Sequence, residues 1–485
     1  MALNNSPADN KRPIKKISTG ISGLDEVLQG GFPQNRTTLI KGAAGTGKTV
    51  LGLEFLYRSA LQGEPVIFIS FEERADALRE NALAAGWDLQ ALEEKGSFFL
   101  WEAKIDHSTE TSGEFSIESL LAAIKGKAEQ MSCKRILIDA VDVFLRIFQD
   151  PVKEKQELYK LHDWLTEQKF TAILTTKKIL NQSENTFYYE ILDYMADCVI
   201  LLDLRVIHQV STRRLRIIKY RGSGFYSNEY PYIITHQGNV IMPITEMKLT
   251  HKPLKKKISS GNPDLDILLG GGYYRGSSIL ISGPTGSGKT TLAATFSHST
   301  CSQGNRMFFI SFEESEEAII EAMVSPGIDL SHLKEKGNLQ FHTILPEALV
   351  AEEHLWRILQ KIEQFNPHHI VVDAISACQR MSTEAAAFDF LVRLINICKQ
   401  HKLTCLMINQ LQSNEYQADI SGIGISSIVD TLIRLQYIEN NKKQVLRDLL
   451  ILKSRGIHHS NQHYLYSITD NGIQIDRSGK EKGVD

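Results

Sequence analysis

A stretch in the second half of the chain reads G-x-x-x-x-G-K-T, the pattern of a loop that binds nucleotide phosphates. The apolar run Ser278–Ile281 precedes it and the helical pattern Thr290–Phe296 follows, which is the strand, loop and helix order that such a loop requires. Its glycines let several backbone N–H groups converge on phosphate oxygens, and the start of the helix adds a positive field. The residues of this predicted loop are Gly283, Pro284, Thr285, Gly286, Ser287, Gly288, Lys289, Thr290 and Thr291.

The first half of the chain carries a second loop of the same pattern, after an apolar stretch at 37–40. We expect each loop to bind ATP with Mg²⁺. Lys48 and Lys289 would hold the β- and γ-phosphates, and the hydroxyls of Thr49 and Thr290 would bind the metal ion. The residues of the first loop are Gly42, Ala43, Ala44, Gly45, Thr46, Gly47, Lys48 and Thr49.

The two loops belong to a duplication that covers most of the chain. Lys48 and Lys289 lie 241 positions apart, and the same spacing separates the two Phe-Glu-Glu sequences that follow them. Later landmarks repeat at a spacing of 234, because the second copy is seven residues shorter before them. A tandem repeat explains this agreement, and it predicts two domains, 1–247 and 248–485.

Within each copy, short apolar runs alternate with helical patterns, and the runs lack the strict alternation of a half-exposed strand. This favours a mainly parallel sheet covered by helices on both faces, with ligands at the carboxyl ends of the strands. The first copy ends in β-rich stretches at 213–220 and 230–242, which we interpret as an antiparallel extension of the sheet. The predicted class is therefore α/β, with two phosphate-loop domains.

The composition of the 485 residues, 42% hydrophobic and 23% charged, is that of an ordinary globular protein. A formal net charge of −3 gives no general attraction to nucleic acid or to anionic membrane, so we expect neither as a partner. The polar start of the chain has no signal-peptide core, and no apolar run approaches the roughly 20 residues that span a bilayer. The six scattered cysteines are typical of reduced, buried thiols, so we expect a cytoplasmic protein.

Asp139 and Asp373 each end an apolar strand downstream of a phosphate loop. A carboxylate in that position can hold a water on Mg²⁺. A strand-end aspartate can also be a simple helix cap. The same placement in both copies favours metal binding.

Adjacent carboxylates follow the strand after the loop helix in each copy. Glu72 and Glu73 repel one another, as do Glu313 and Glu314, which raises the proton affinity of at least one member of each pair. Such a carboxylate can polarise a water or a hydroxyl for attack on the γ-phosphate, so we predict a catalytic role. Acids in this position also suit the start of a helix, and both interpretations can hold together.

A pair of cations lies near the end of each copy. Lys219 and Arg221 are two positions apart, as are Lys453 and Arg455, so each pair shares one face of a strand. They are far along the chain from the loops and could reach the nucleotide of an adjacent subunit, as arginine fingers do. A solvated basic turn explains the pattern equally well.

Together these features resemble the KaiC family of tandem RecA-like proteins, which includes a circadian-clock ATPase and autokinase. The resemblance covers about residues 13–476, through both loops, both glutamate doublets, both strand-end aspartates and both K-x-R-G turns. It implies a homohexamer with nucleotides between subunits, which favours the cross-subunit role of the four cations. It also implies slow ATP hydrolysis in the first domain and serine/threonine autokinase activity in the second.

The stretch 419–431 looks like the phosphorylated segment of that family, with Ser426 and Ser427 at its paired acceptor positions. The resemblance implies that Glu313 or Glu314 accepts the serine proton and that the acceptor belongs to a neighbouring subunit. By composition alone, two serines before a strand are typical of a turn or a helix cap.

The resemblance also bears on partners. The chain ends nine residues after Asp476, without the long tail on which a KaiA-type activator acts, so we do not expect such an activator. The segment 103–115 differs from the clock protein, which leaves a KaiB-like protein as a candidate rather than an expected partner.

We therefore interpret the chain as a KaiC-like hexamer that acts as a signalling or clock-related switch. A RecA- or helicase-like DNA-dependent ATPase is one alternative, since the same core serves that purpose. It requires a basic or aromatic channel lining, and the sequence shows no dense cluster of that kind. The other alternative is a signalling scaffold that ATP stabilises without appreciable turnover.

Overall fold

Internal contacts divide the chain into two units, Met1–Glu246 and Met247–Asp485. The predicted boundary at 247, the segment 104–115 and the residues 419–423 lie outside the described part of the chain. The computed structural model describes residues 14–103, 117–145, 148, 150–177, 186–207, 210–242, 256–381, 383–411, 424–440, 442–456 and 458–477.

The first unit alternates strands with helices. Its described strands are β1 (Lys16–Ile17), β2 (Phe32–Pro33), β3 (Thr37–Gly42), β4 (Val66–Ser70), β5 (Phe98–Glu102), β6 (Arg135–Asp139), β7 (Thr171–Lys177), β8 (Cys198–Ile207), β9 (Val210–Tyr220), β10 (Glu229–Thr235) and β11 (Gly238–Ile241). Its described helices are α1 (Leu24–Val27), α2 (Lys48–Leu61), α3 (Ala75–Ala84), α4 (Leu89–Glu94), α5 (Ile117–Met131), α6 (Val141–Leu145), α7 (Pro151–Glu167) and α8 (Thr186–Met195).

The second unit repeats this order. Its described strands are β12 (Lys257–Ile258), β13 (Tyr273–Tyr274), β14 (Ser278–Gly283), β15 (Met307–Ser311), β16 (Leu339–Thr343), β17 (His369–Asp373), β18 (Thr404–Gln410), β19 (Thr431–Glu439), β20 (Val445–Ser454), β21 (Tyr464–Thr469) and β22 (Gly472–Ile475). Its described α-helices are α9 (Pro263–Leu268), α10 (Lys289–Ser302), α11 (Glu316–Ala322), α12 (Ser331–Glu335), α13 (Ala351–Phe365) and α14 (Glu384–Gln400). Three 3₁₀ helices complete the described elements: Pro346–Ala348, Ile375–Met381 and Ile425–Ser427.

Each unit is built on a nine-stranded sheet, ordered β11-β10-β9-β8-β3-β7-β6-β4-β5 in the first and β16-β15-β17-β18-β14-β19-β20-β21-β22 in the second. In the first sheet the strands from β8 to β5 run parallel, and β9, β10 and β11 extend it antiparallel. The second sheet has the same arrangement. The predicted α/β class with an antiparallel extension is confirmed.

The strand before each phosphate loop lies in the middle of its sheet, β3 between β7 and β8 and β14 between β18 and β19. Leu39 and Ile40 are buried, as are Leu280 and Ile281, because helices cover both faces of the sheet. This burial explains why these strands are continuous apolar runs. The six cysteines are buried free thiols, as the sequence predicts. None of the helices in the described ranges combines the length and the apolar character that a bilayer crossing requires.

One buried and one half-buried histidine, His369 and His342, are expected to make the second unit sensitive to acid. Burial lowers the pKa of His369 to about 3 and that of His342 to about 4, because the charged imidazole is poorly solvated there. Unfolded histidine titrates near 6.5, so this contribution to stability is complete above about pH 6.5 and is lost as the pH falls towards 4. We expect the second unit to lose about 3 kcal/mol of unfolding free energy between about pH 6.5 and 5.

Hydrogen exchange of the amides in β17 measures this loss directly. The double variant His342→Gln/His369→Gln is the control, and it should show a clearly smaller pH slope, whatever its absolute stability. An equal slope in the parent and in the variant would contradict the assignment to these two side chains.

Candidate nucleotide-binding sites

Each phosphate loop connects the last residue of the central strand to the first residue of a long helix. Gly47 and Gly288 precede these helices with φ of 85° and 90°, a conformation that side chains other than glycine rarely adopt. A Cβ at Gly288 would also lie 2.8 Å from Cδ1 of Ile468. Backbone conformation and packing both require glycine at this position.

The antiparallel extension supports both loops. The hydroxyl of Tyr232 in β10 donates to the carbonyl of Thr46, and the hydroxyl of Tyr466 in β21 donates to the carbonyl of Ser287. Both tyrosines are buried. The last strands of each unit therefore hold the loop in its phosphate-binding shape.

The loop lysines lie inside the loops. Nζ of Lys48 donates to the carbonyl of Ala43 over 3.0 Å, and Nζ of Lys289 donates to the carbonyl of Pro284 over 2.7 Å. Burial lowers the pKa of both lysines, and the strand-end aspartates oppose this effect. Each ammonium group thus lies within a loop that is predicted to bind phosphate.

The predicted magnesium residues meet in both units. Oγ1 of Thr49 donates to Oδ2 of Asp139 over 2.8 Å, and Oγ1 of Thr290 donates to Oδ2 of Asp373 over the same distance. The hydroxyl of Thr175 also donates to Asp139, at the other carboxylate oxygen, Oδ1. Burial raises the pKa of both aspartates, that of Asp373 to about 6. Hydroxyl and carboxylate oxygens are the ligands that Mg²⁺ prefers, so these residues fit the ion.

Serines hold the glutamate doublets in the same way in both units. Oγ of Ser70 donates to the carbonyl of Glu73 over 2.7 Å and accepts from its N–H, and Ser311 makes the same pair of bonds with Glu314. Burial raises the pKa of Glu73, and the charges of Asp139 and Glu72 add to this effect. A carboxyl group with raised proton affinity suits a general base.

In the second unit the loop, the glutamates and the strand-end aspartate share one cleft. Ser426 and Ser427 of the same chain are not among the described residues that line it. The lining residues are Thr285, Gly286, Gly288, Lys289, Thr290, Thr291, Ser311, Glu313, Glu314, Asp373, Ala374, Gln410 and Ile468.

The cation pairs lie against backbone carbonyls of their own unit. Nζ of Lys219 donates to the carbonyls of Asp193 and Tyr194, each over 2.8 Å, and Nη2 of Arg221 donates to that of Tyr194 over 2.6 Å. The structure thus places this pair beside the segment before β8. Their predicted contact with a neighbouring subunit's nucleotide remains a prediction.

In the second unit the corresponding carbonyls belong to the predicted phosphoacceptors. Nζ of Lys453 donates to the carbonyls of Ser426 and Ser427, each over 3.2 Å, and Nη2 of Arg455 donates to that of Ser427 over 2.6 Å. Ser427 is exposed and Ser426 is half-buried. The predicted acceptors and the predicted cross-subunit cations are therefore in direct contact.

Three further residues reach the sites without having been predicted. Thr175 binds Asp139, the ammonium group of Lys177 contacts Glu72, and Nε2 of Gln410 donates to Oγ1 of Thr285 over 2.7 Å. They lie at the carboxyl ends of β7 and β18, the strands beside the loop strands. The sequence shows polar residues after these apolar runs, but strand order alone reveals that they adjoin the loops.

The fold and the two sites define a tandem RecA-like phosphate-loop ATPase. The family model described as "ATPase: KaiC" matches residues 17–246 and 258–480, that is, both units. The chain therefore belongs to the KaiC family, and it is a nucleotide-binding ATPase. This confirms the resemblance noted in the sequence.

Relatives of known name agree with this assignment. The chain is 36% identical to "Circadian clock protein KaiC2" of Synechocystis sp., over 96% of this chain and 83% of that protein. It is 32% identical to "Circadian clock oscillator protein KaiC" of Acaryochloris marina, over 96% of this chain and 89% of that protein. It is also 32% identical to "Circadian clock protein KaiC3" of Synechocystis sp., over 95% and 92%.

Proposed function

We propose that this protein is an ATP-dependent homohexamer that hydrolyses ATP slowly in its first domain and phosphorylates its own Ser426 and Ser427 in its second. The observation that carries the proposal is the contact of Lys453 and Arg455 with the carbonyls of these serines. If Lys453 and Arg455 also contact the nucleotide of a neighbouring subunit, the two serines lie beside that nucleotide. Acceptor and donor would then meet only in an assembled ring.

The side chains of the second site can carry the transfer. Glu313 or Glu314 takes the proton of the serine hydroxyl, whose oxygen then attacks the γ-phosphorus as the bond to the ADP oxygen breaks. Lys289 stabilises the charge on the phosphate oxygens. Thr290 and Asp373 would hold Mg²⁺, which would neutralise part of the negative charge on the phosphates during transfer.

A difference between the units supports phosphate acceptance in the second domain. The positions of Ser426 and Ser427 before β19 correspond to Asp193 and Tyr194 before β8, since all four present carbonyls to the cation pairs. Asp193 already carries a negative charge and forms an ion pair with Lys41. The first domain thus has a fixed charge where the second has a hydroxyl.

Phosphorylation would make that charge variable. A phosphate on Ser426 or Ser427 adds about −1.5 to −2 charge beside Lys453 and Arg455. Those cations would then be drawn towards the phosphate and away from the nucleotide of the neighbouring subunit. Such a competition biases the subunit interface, which is how a phosphorylation switch acts.

Mixed rings test the shared site. Lys289→Ala removes the donor site but keeps the acceptor serines, and Ser426→Ala/Ser427→Ala removes the acceptors but keeps the donor. We expect a mixture of the two variants, reassembled with Mg-ATP, to incorporate labelled phosphate on the serines of the Lys289→Ala chains. Mass spectrometry of phosphopeptides, with one chain isotope-labelled, identifies the acceptor chain.

The Lys289→Ala chains incubated alone are the matched control and should remain unlabelled. Adding Arg455→Ala to the donor-inactive chains would test the cation in the same assay, with a loss of transfer expected. Label that fails to appear in the mixture, while unmixed parent protein is phosphorylated, would show that transfer occurs within one chain.

A further inference from the structure

The two nucleotide sites differ at one strand end. Lys177 is the last residue of β7 and lies opposite Gly42, the last residue of the parallel strand β3. Gln410 is the last residue of β18 and lies opposite Gly283 in the same way. Both side chains therefore leave the sheet beside the first glycine of a phosphate loop, one charged and the other neutral.

Lys177 makes its contact across the first site. Its ammonium group forms an ion pair with Oε1 of Glu72, a member of the predicted catalytic doublet. The two side chains are 39% and 38% exposed, so this ion pair gains little net free energy and can be exchanged for another partner. Lys48 lies inside the loop that begins at Gly42, so both lysines adjoin the same loop. Burial lowers the pKa of Lys48, and the like charge of Lys177 adds to that effect.

The second site has a neutral group in this place. Nε2 of Gln410 donates to Oγ1 of Thr285 within the loop itself, over 2.7 Å. An amide offers a phosphate hydrogen bonds from a neutral donor, whereas an ammonium group also brings a full positive charge to the anion. Lys177 is therefore expected to bind a phosphate group more strongly than Gln410 does at the equivalent position.

We propose that Lys177 is a second phosphate-binding cation of the first site, which moves from Glu72 to the γ-phosphate when ATP binds. The exchange has two consequences. The first site distinguishes ATP from ADP more strongly than the second, and the Glu72 carboxylate loses its cation only when a triphosphate is present. This inference rests on the proposed placement of ATP at the first loop, and it makes Lys177 a sensor of the γ-phosphate.

Equilibrium binding tests the inference without requiring turnover. In full-length protein carrying Lys289→Ala, the first site is measured with a fluorescent non-hydrolysable ATP analogue and with the matching ADP derivative. We expect Lys177→Gln to weaken binding of the ATP analogue by about 10- to 100-fold, the range for one charge-assisted hydrogen bond. Binding of the ADP derivative should change by less than about twofold, because the γ-phosphate is absent.

Two variants serve as controls. Lys177→Arg keeps the charge and should retain most of the preference for the ATP analogue. Lys134→Gln removes an exposed lysine just before β6, at the opposite end of that strand from Asp139, and should change neither affinity. Retained ADP binding by Lys177→Gln shows that the variant is folded.

Different results would contradict the role of Lys177 and the placement of ATP at the first loop. Lys177→Gln could instead weaken the binding of the ATP analogue and of the ADP derivative equally, or leave both unchanged. Either result would show that Lys177 does not contact the γ-phosphate and that the inference is wrong. If the parent protein binds no more tightly than the Lys48→Ala/Lys289→Ala variant, the placement of ATP at the first loop fails as well.

Discussion

Replacing Lys289 by alanine is expected to abolish phosphate incorporation at Ser426 and Ser427 while ATP hydrolysis by the first domain continues. The Lys289 ammonium group lies inside the second loop, 2.7 Å from the carbonyl of Pro284, where it would meet the transferred phosphate. Loss of one preorganised charge at such a site costs about 10²–10³ in rate. Incubation with γ-labelled Mg-ATP, followed by phosphopeptide mapping, measures incorporation, and phosphate release measures hydrolysis.

Lys48→Ala makes the same change in the other copy and leaves the second loop intact. Because this variant is also expected to loosen the hexamer, its labelling is compared at equal hexamer content, measured by native mass on the same sample. Labelled phosphate on Ser426 or Ser427 of unmixed Lys289→Ala protein would show that the second loop is not the kinase site.

Replacing Lys48 by alanine is expected to remove most ATP hydrolysis, again by about 10²-fold or more, and to loosen the hexamer. The first effect follows from the place of Lys48 within the first loop. The second follows because a nucleotide held between subunits stabilises their association, so that weaker binding lowers the stability of the ring. Phosphate release and native mass measurement on one sample report both effects.

In this case Lys289→Ala is the matched control and should keep the larger part of the hydrolysis. Hydrolysis that is unchanged in Lys48→Ala but lost in Lys289→Ala would reverse the proposed division of labour between the domains. Hydrolysis that is equally low in the parent and in both variants would favour the scaffold alternative.

Much of the fold could be predicted because buried parallel strands leave a simple trace in the sequence. The continuous apolar run Val66–Ser70 forms the whole of strand β4, and the run at 136–139 forms all of β6 except its first residue. The residues 117–130, with a helical apolar pattern, lie in the helix Ile117–Met131. Burial on both faces makes such runs continuous, and the flanking glycines and polar residues mark their ends.

The parts of the sites close in sequence to the loops were also predictable, since local spacing fixes them. Among the more distant residues, Asp139 and Asp373 were predicted to join Thr49 and Thr290, 90 and 83 positions away. Other long-range neighbours were not predicted. Lys177 lies 105 positions from Glu72, and the two meet only because β7 is placed between β3 and β6 in the sheet. Strand order depends on packing of the whole unit, and the sequence pattern of a single strand carries no information about its neighbours.

The two copies carry different side chains at equivalent positions. Asp193 and Lys177 of the first copy correspond to Ser426 and Gln410 of the second. In each case the first copy has a charged side chain and the second a neutral one. The carbonyls of Asp193 and Ser426 accept hydrogen bonds from the cation pairs. The side chain of Lys177 contacts Glu72, whereas that of Gln410 contacts Thr285. The proposed division of activities between the two domains rests on differences of this kind.

The proposed mechanism requires subunits that complete one another's nucleotide sites. Native mass spectrometry of the full chain at saturating ATP and magnesium tests this most directly. We predict six chains in one particle with two nucleotides bound per chain, and loss of the particle when nucleotide is removed. A chain that binds both nucleotides yet remains monomeric under these conditions would contradict the central claim.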